Sequence, residues 1–460
     1  MRQVSAKVIP CIERAMDLNP ATETADVAVI GAGAAGLLAG IGAARAGART
    51  VVYERMATPA RKIAIAGGGR CNFTNTLDAR AFVRRFGDTH AAKLGHALRA
   101  FSNDELLALL ARHGVEGQVE RGYRIFTKSG RGSDVAEALV AELKEAGAAL
   151  VCDARISALR RGAAFILEGR FGGCDERRKA RTVVVCTGGL SYPTTGSSGD
   201  GYAWARALGH TVTPLRAALV GLTVEETWPA ALQGLSWPDA EAALGRHGRD
   251  AHATKPLGVE RGEILFTHFG ISGPAILDLS NVLVASGLQR AALTVDFLPD
   301  VRREELDAQL LARLRQYPNR TVARALEGFM RMPPRLLEHF ETALEAGGSP
   351  LAGRLTKEAR QRLLGLLKQT SLVVNGTRSV EHGEVTAGGV AWGEIEPATL
   401  ESRVCPSLFF AGEILDVAGR CGGFNLQAAF STGFLAGRSA ARRALGRIPE
   451  PTETPRSHRA

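Results

Sequence analysis

The sequence predicts an α/β fold built on a parallel sheet, and three strand-like runs that end in glycine support this prediction. The first, Val27 to Ile30, leads directly into a glycine-rich turn and an Ala- and Leu-rich helix. The second, Val183 to Val185, is followed by Thr187 and two glycines. The third, Leu408 to Phe410, lies more than 370 residues beyond the first. Strands that alternate with helices are typical of a parallel sheet.

The first of these runs has the spacing of a dinucleotide-binding unit. Gly31 would make the tight turn, Gly33 would let the backbone approach a pyrophosphate, and Gly36 would let the helix pack closely on the strand. Glu54 follows Gly36 by 18 residues, at the end of the next β-branched run, and is placed to accept hydrogen bonds from ribose hydroxyls. A glycine turn alone is also typical of ordinary loops, but the register of strand, helix and acid favours an adenine dinucleotide. The negative charge of Glu54 would repel a 2′-phosphate on the adenosine ribose, so a phosphorylated dinucleotide is disfavoured at this site. It does not distinguish NAD from FAD.

The C-terminal run favours FAD over NAD. A helix is expected to begin near Asn425, with small or apolar residues at Leu426, Ala429, Phe430 and Gly433 on one buried face. The N-terminus of this helix would favour negative charge on a flavin. FAD is longer than NAD, and binding it requires the chain to return to the first nucleotide-binding unit in this way. NAD dehydrogenases do not need this return. The strand at Val183 fits the same interpretation, although a strand followed by glycines is common elsewhere.

Length and charge limit the alternatives. A chain of 460 residues exceeds one typical core, and 45% hydrophobic residues with 53 glycines suit a soluble α/β enzyme. No apolar run reaches the roughly 18 residues of a membrane helix. The net charge of +10 would suit nucleic acid, but the arginines are scattered rather than gathered into a stripe. We therefore expect a cytoplasmic protein, with a nucleic-acid partner disfavoured.

The cysteines and the chain ends add little chemistry. The seven cysteines form no CxxC pair and no metal-ligand spacing, which argues against a flavin–disulfide relay and predicts no metal site. Residues 1–25 are expected to be an N-terminal extension without a secretory apolar core. The Pro-rich tail, 448–460, is expected to be disordered.

Longer motifs resemble a known family over residues 25–442. They are KIAIAGGGRCNFTN (Lys62 to Asn75), CTGGLSYPTTGSSGDGYAWARALGH (Cys186 to His210), LFTHFGISGPAILDLS (Leu265 to Ser280), VTAGGV (Val385 to Val390) and FAGEILDVAGRCGGFNLQAAFSTGFLAG (Phe410 to Gly437). Together they resemble the HI0933-like (BaiN/YhiN-type) flavoproteins, NAD(P)/FAD-dependent oxidoreductases. Cys421 stands where the family usually has Thr and Phe424 where it has Tyr, which suggests the PP_4765-like branch.

The resemblance implies a glutathione-reductase-like FAD domain made from both ends of the chain, with a barrel-like insert and a helical cap. We therefore expect a discontinuous FAD-binding domain at 26–210 and 371–447. The β-rich insert is expected at 211–300 and the helical subdomain at 301–370. Short apolar runs such as Ala292 to Phe297 and helical patterns such as Lys357 to Leu367 agree with these boundaries.

The motifs and the resemblance assign cofactor-binding residues in each segment. In the glycine loop before Cys71, Arg70 would pair with the pyrophosphate and Asn72 with the flavin edge, although a solvated arginine would also suit that loop. Cys71 itself is interpreted as a small packed residue rather than a redox thiol. The full set is Gly31, Gly33, Ala34, Ala35, Gly36, Glu54, Arg55, Lys62, Gly69, Arg70, Cys71, Asn72, Ile156, Thr187, Gly188, Gly189, Gly412, Glu413, Gly423, Phe424, Asn425 and Leu426.

The predicted function is that of an FAD-dependent oxidoreductase which passes hydride through flavin N5. His268 and Tyr192 are candidate proton donors, with a structural role as the alternative for each. Relatives are reductases of unsaturated carbonyl compounds or amine oxidases, so a small-molecule substrate is expected. The alternative is a flavoprotein that modifies RNA through a basic surface. Because no second strand–GxGxxG–helix–acid unit occurs between residues 150 and 400, NAD(P)H would dock only transiently.

Overall fold

The computed structural model describes residues 24–247, 255–344 and 351–447, which divide into two compact units. The sheet unit comprises the described residues up to 216 and from 384 onward, and the barrel unit comprises 217–383. The predicted tail and nearly all of the N-terminal extension lie outside the described residues. The chain returns to the sheet unit at Glu384 instead of residue 371, because the strand at Thr370–Thr377 closes the barrel.

The N-terminal part of the sheet unit alternates strands and helices before a meander. Its strands are β1 (Thr24–Ile30), β2 (Thr50–Tyr53), β3 (Asn72–Asn75), β4 (Gly117–Val119), β5 (Arg124–Thr127), β6 (Ala149–Val151), β7 (Ala154–Arg161), β8 (Phe165–Phe171) and β9 (Cys174–Val185). Its helices are α1 (Ala34–Arg45), α2 (Arg61–Ile65), α3 (Ala79–Val83), α4 (Asp88–Ala100), α5 (Asn103–Arg112), α6 (Gly132–Glu145) and α7 (Asp200–Ala207).

The barrel unit mixes strands with helices, and the chain then returns to the sheet unit. After β10 (Arg216–Ala218) at the junction come β11 (Leu222–Val224), β12 (Ser236–Arg246), β13 (Gly258–Thr267), β14 (Gly270–Ser272), β15 (Ala291–Asp296) and β16 (Thr370–Thr377). The helices are α8 (Trp228–Ala231), α9 (Pro274–Ser286), α10 (Arg303–Gln316), α11 (Val322–Ala325), α12 (Pro334–Leu344) and α13 (Lys357–Gln369). The sheet unit ends with β17 (Val385–Ala387), β18 (Leu408–Phe410) and α14 (Phe424–Ala444).

A seven-stranded sheet organises the sheet unit. Its order is β6-β2-β1-β9-β8-β7, and β18 also pairs with β9. The strands β6, β2, β1, β9 and β18 run parallel, whereas β9, β8 and β7 form an antiparallel meander. Val27 and Ala28, which point to opposite faces of β1, are both buried, as expected of a strand covered on both faces. The predicted α/β class is confirmed.

Small residues let α14 pack very closely on α1. A Cβ at Gly433 would lie 2.1 Å from the carbonyl oxygen of Ala35, and one at Gly437 would lie 1.9 Å from that of Ala39. Neither distance is possible between real atoms, so both positions require glycine. The C-terminal helix therefore lies against the first nucleotide unit, although the two are separated by almost the whole chain.

The predicted barrel-like insert is a closed antiparallel barrel with strand order β11-β14-β13-β12-β15-β16. Leu222, Phe266 and Leu293 are buried and belong to its core. Phe340 and Leu363, from α12 and α13, join the same core, so the helices and the barrel form one unit. Among the described residues, no helix is long and apolar enough to cross a membrane.

A buried carboxylate joins three helices of the sheet unit. Glu142 on α6 is 3% exposed and accepts hydrogen bonds from Arg112 (2.8 Å), His113 (2.9 Å) and Arg45. Burial alone would raise the pKa of the Glu142 carboxyl, but the hydrogen bonds from His113 and Arg112 and the charge of Arg45 hold it below its ordinary value. The carboxylate is thus ionised in the folded protein.

Glu142→Gln is expected to lower the free energy of unfolding by about 1–2 kcal/mol at neutral pH, because His113, Arg112 and Arg45 lose a charged acceptor while the two arginine side chains, 57% and 39% exposed, keep part of their hydration. A lowered folded-state pKa stabilises the fold above the ordinary carboxyl pKa, and this contribution is lost as pH falls through the lowered value. Urea unfolding should therefore show a smaller difference between variant and wild type in acid. Glu137→Gln, at an exposed position on α6 outside this cluster, is the control. A Glu142→Gln effect that is unchanged by pH would contradict this account.

Candidate functional site

Four parallel strands end in register at one edge of the sheet. Ile30 pairs with Tyr53 and Val185, and Val185 pairs with Phe410. The residues that follow these strand ends therefore meet at a single edge. They are Gly31, Glu54, Thr187 to Gly189, Gly412 and Glu413. In open α/β sheets, ligands bind outside the carboxyl ends of the strands.

The first glycine turn is closed on one side and open on the other. Gly31 has φ +99°, and a Cβ there would lie 2.6 Å from the carbonyl oxygen of Cys186. A Cβ at Gly36 would lie 1.7 Å from the carbonyl oxygen of Gly31, whereas a Cβ at Gly33 would have no atom within 4 Å. The helix that follows, which includes Ala34 and Ala35 in its first turn, has no side-chain cap and no acidic residue there. The turn thus presents an open backbone and a positive helix end.

Glu54 is fixed beside this turn. Its carboxylate accepts hydrogen bonds from the backbone N–H groups of Ala32 (2.8 Å) and Met56 (2.9 Å). Burial raises the pKa of the Glu54 carboxyl, and these hydrogen bonds oppose that rise. The adjacent Arg55 contacts Asp200 at 3.2 Å and also donates to Ser198. Glu54, the predicted ribose acid, therefore lies at the carboxyl edge of the sheet, with its carboxylate held by two backbone N–H groups.

Lys62 and Glu413 form an ion pair at the same edge. The Lys62 Nζ lies 2.9 Å from Glu413 Oε2 and donates to Ser191 Oγ at 2.9 Å. Glu413 Oε1 accepts from Ser191 Oγ (2.7 Å) and from the N–H of Thr386 (2.9 Å). Burial would raise the pKa of the Glu413 carboxyl, but the charge and hydrogen bond of Lys62 lower it overall. Both residues were predicted as cofactor-binding, and the structure joins them to each other.

Two glycines after β9 are required by this cluster and its neighbours. A Cβ at Gly189 would lie 2.3 Å from Thr386 Oγ1, and one at Gly188 would lie 2.8 Å from Ser197 Oγ. Thr386 Oγ1 in turn accepts from the N–H of Leu190 at 2.8 Å. The loop after β9 is therefore held against the segment that contains Thr386.

The N-terminus of α14 lies beside β3. The Asn72 amide, in the orientation that satisfies both its polar atoms, accepts from the N–H of Gly423 (3.0 Å) and donates to the Thr74 carbonyl (3.1 Å). Asn425 instead holds the preceding loop, through bonds with Gly419 at 2.7 and 3.2 Å. Phe424 is buried and Leu426 half-buried on the same helix. The residues predicted near the flavin edge thus cluster here, with Asn72 and Asn425 making contacts within the protein.

Arg70 lies in the loop between α2 and β3 and pairs there with an acid. It contacts Glu120 at 2.6 Å and lies 4.1 Å from the centre of the Phe126 ring, and its pairing with the pyrophosphate stays a prediction. Gly69 precedes it with φ +87°. Cys71 is a fully buried free thiol, and burial raises its pKa to about 12. It is therefore neutral at physiological pH.

The remaining predicted residues are Ile156, Tyr192 and His268. Ile156 is buried on β7, in the antiparallel meander. Tyr192 lies in the sheet unit, where its φ of +51° is unusual for a bulky residue. Burial and the charge of Glu384 raise the pKa of Tyr192. His268 is exposed in the barrel unit, between β13 and β14.

The glycine turn itself tests whether the edge suits a cofactor. A Cβ at Gly33 would meet no described atom within 4 Å, and the N-terminus of α1 has no side-chain cap. The N–H groups of its first turn therefore provide hydrogen-bonding capacity where a dinucleotide is expected. The residues present therefore fit FAD. Thr187 Oγ1, directly after β9, is buried without a hydrogen-bond partner among the described residues, but it faces Gly201 on α7, since a Cβ there would lie 2.1 Å from it.

Sequence reasoning overlooked two members of the cluster. Ser191 and Thr386 both lie inside quoted motifs, SYPTTGSSGDG and VTAGGV, but neither carries a spacing signal of its own. Their partner Glu413 is more than 20 residues away from each in the sequence. The repeated occurrence of small polar residues after the strand ends was the available signal.

Comparisons with known proteins agree with this architecture. The family described as HI0933-like protein Rossmann domain matches residues 25–439. A 3-dehydro-bile acid delta(4,6)-reductase from Clostridium scindens is 35% identical over 91% of this chain and 99% of its own length. Ribosomal RNA dihydrouridine synthases from Escherichia coli and Haemophilus influenzae are each 30% identical, over 89% and 90% of this chain and 96% and 98% of their own lengths. The chain belongs to the HI0933-like family of FAD-dependent oxidoreductases, and the family prediction is confirmed.

Proposed function

We propose that this protein reduces a carbon–carbon double bond conjugated to a carbonyl group in a small molecule, with FAD as its cofactor. The main support is the 35% identity to a delta(4,6)-reductase over nearly both full lengths. Dihydrouridine is also the product of reducing a double bond conjugated to a carbonyl, so the relatives share one reaction type. We therefore favour reduction over the amine-oxidase direction.

The residues at the carboxyl edge have distinct parts in holding FAD. The N–H groups at the start of α1, beside Gly33, would bind the pyrophosphate, and Glu54 would accept from the ribose. The N-terminus of α14 would face the flavin. Bound FAD supplies hydride transfer at N5, and the protein supplies position and electrostatics.

Tyr192 is the proton donor that we propose for the substrate carbon next to the carbonyl. Its raised pKa keeps the hydroxyl protonated. Thr195 fixes the backbone here, since its side chain and its N–H donate to the Tyr192 carbonyl at 2.7 and 2.8 Å. A strained backbone that is held in this way is typical of functional positions. His268 remains the second candidate.

NAD(P)H is the proposed source of the hydride, docking only transiently. In the described residues, the barrel unit contains an antiparallel barrel and helices, with no second parallel nucleotide-binding sheet. A nicotinamide without its own domain has little binding energy available. We therefore propose weak saturation, with KM toward the upper end of the usual range of about 1 μM–1 mM.

Anaerobic half-reactions test the proposal. The holoprotein should lose its flavin absorbance with NADH or NADPH and regain it when a 3-oxo-4,6-diene bile acid is added. Tyr192→Phe should slow this reoxidation by about 100-fold or more while flavin reduction by NAD(P)H keeps its rate. A photoreduced enzyme that no enone reoxidises would refute the assignment. Equal slowing of both half-reactions would remove Tyr192 as the proton donor.

RNA reduction is the second candidate, supported by the two 30% identical relatives and the net charge of +10. The same reoxidation assay, with a uridine-containing ribosomal RNA fragment as the oxidant, distinguishes RNA reduction from reduction of a small molecule. Reoxidation by the fragment and not by the bile acid would favour RNA. The reverse result would favour a small molecule.

A further inference from the structure

One half-buried arginine in the barrel unit differs from the others. In the described part of this unit, the half-buried arginines are Arg313, Arg360 and Arg378. The Arg313 guanidinium donates to two backbone carbonyls, at 2.8 and 2.7 Å, and Arg360 donates to Asp307 at 2.8 Å. No described residue accepts a hydrogen bond from the Arg378 guanidinium, whose ring contact is with Phe269. Arg378 is therefore a half-buried cation that pairs with no anion among the described residues.

The position of Arg378 is fixed by its neighbours. Its backbone N–H donates to the carbonyl of Gly221 at 3.1 Å, and its Cζ lies 4.7 Å from the centre of the Phe269 ring. Phe269 packs on the same glycine, because a Cβ at Gly221 would lie 2.5 Å from the ring. The guanidinium thus lies over the Phe269 ring, and none of its N–H groups is bonded to a described residue.

His268 adds a second polar group to this stack. It is exposed, and its ring stands edge-on to Phe269, with centroids 5.1 Å apart and planes at 87°. Its ring can donate a hydrogen bond in either protonation state. A planar cation, a hydrogen-bond donor and an aromatic face therefore occur together where the turn between β13 and β14 meets the residue that follows β16.

We propose that Arg378, His268 and Phe269 form a binding site for an oxyanion, a carboxylate or a phosphate group, carried on an apolar or aromatic body. The guanidinium edge matches the two oxygens of such a group and binds it through paired, charge-assisted hydrogen bonds. The Phe269 ring provides the apolar contact. All three residues lie within the barrel unit. The site uses His268 only as a hydrogen-bond donor to a bound oxyanion, so the inference does not require FAD or the second-candidate role of His268 in the reaction proposed above.

Three aryl probes test the site in the full-length holoprotein: benzoate, its neutral analogue benzamide, and phenyl phosphate. Dissociation constants from ligand-observed NMR should be at least about tenfold lower for benzoate than for benzamide. Arg378→Met should weaken benzoate binding by about tenfold or more, and Arg378→Lys by less, because lysine keeps the charge but loses the paired donors. Tighter binding of phenyl phosphate than of benzoate would identify phosphate as the preferred group, and the reverse would identify carboxylate.

Arg320→Met is the matched control. Arg320 also stacks at 4.7 Å on an aromatic ring, that of Tyr317, in the same unit, and its removal changes the net charge equally. It should leave benzoate binding unchanged. Equal affinities for benzoate and benzamide, or equal effects of the Arg378 and Arg320 variants, would overturn the proposal. Arg378→Lys, checked by thermal unfolding, keeps the test decisive if Arg378→Met folds poorly.

Discussion

Gly36→Val is expected to abolish FAD binding. Any Cβ at this position would lie 1.7 Å from the carbonyl oxygen of Gly31, so α1 must move away from β1. That movement displaces the N-terminus of the helix, whose N–H groups are proposed to hold the pyrophosphate. The purified variant should be colourless and remain so after incubation with FAD. The wild type should release about one FAD per chain on heating, identified by chromatography.

Gly33→Ala separates binding from folding. A Cβ at Gly33 meets no atom within 4 Å and the backbone φ there is −83°, so the apoprotein should unfold at the wild-type temperature. Its methyl group would nevertheless occupy the space proposed for the pyrophosphate. We expect FAD affinity to fall by about tenfold or more, or at least about 1.4 kcal/mol. Wild-type FAD affinity in both glycine variants would show that the cofactor binds elsewhere.

Lys62→Met is expected to destabilise the protein by about 3 kcal/mol. It leaves the Glu413 carboxylate, 14% exposed, without its positive partner. Loss of the ion pair should also lower FAD occupancy, because the pair joins the segments before β3, after β9 and after β18. Denaturant unfolding of the apoprotein and the flavin absorbance of the holoprotein measure the two effects.

The Lys62→Met/Glu413→Gln double variant should recover part of the lost stability, since no uncompensated charge remains. Lys128→Met is the control, because Lys128 pairs with Glu116 at 2.6 Å but both side chains are about two-thirds exposed. Exposed pairs contribute roughly 0–1 kcal/mol. A Lys62 variant no less stable than the Lys128 variant would rule out a structural role for the pair.

The parts of the fold set by local patterns could be predicted from the sequence. The turn at Gly31, the helix after it and the acid at Glu54 lie close together in the chain, and their spacing alone indicates the strand–helix–strand unit. The helix at α14 was likewise indicated by its own apolar spacing. The barrel and helical regions were assigned through family resemblance. The strand β16 belongs to the barrel, although the FAD-binding domain was expected to resume at residue 371. A short strand carries no signal of which sheet it joins.

The sequence by itself determined the type of site, one that binds an adenine dinucleotide. Three glycines at fixed positions and one acid after the next strand are needed wherever the backbone forms such a site. The tertiary structure alone decided which polar groups meet. Lys62 reaches Glu413 across 351 positions, and Arg70 contacts Glu120. A lysine or arginine side chain can pair with any carboxylate that lies close enough in space. Its partner therefore depends on which strand ends share an edge of the sheet.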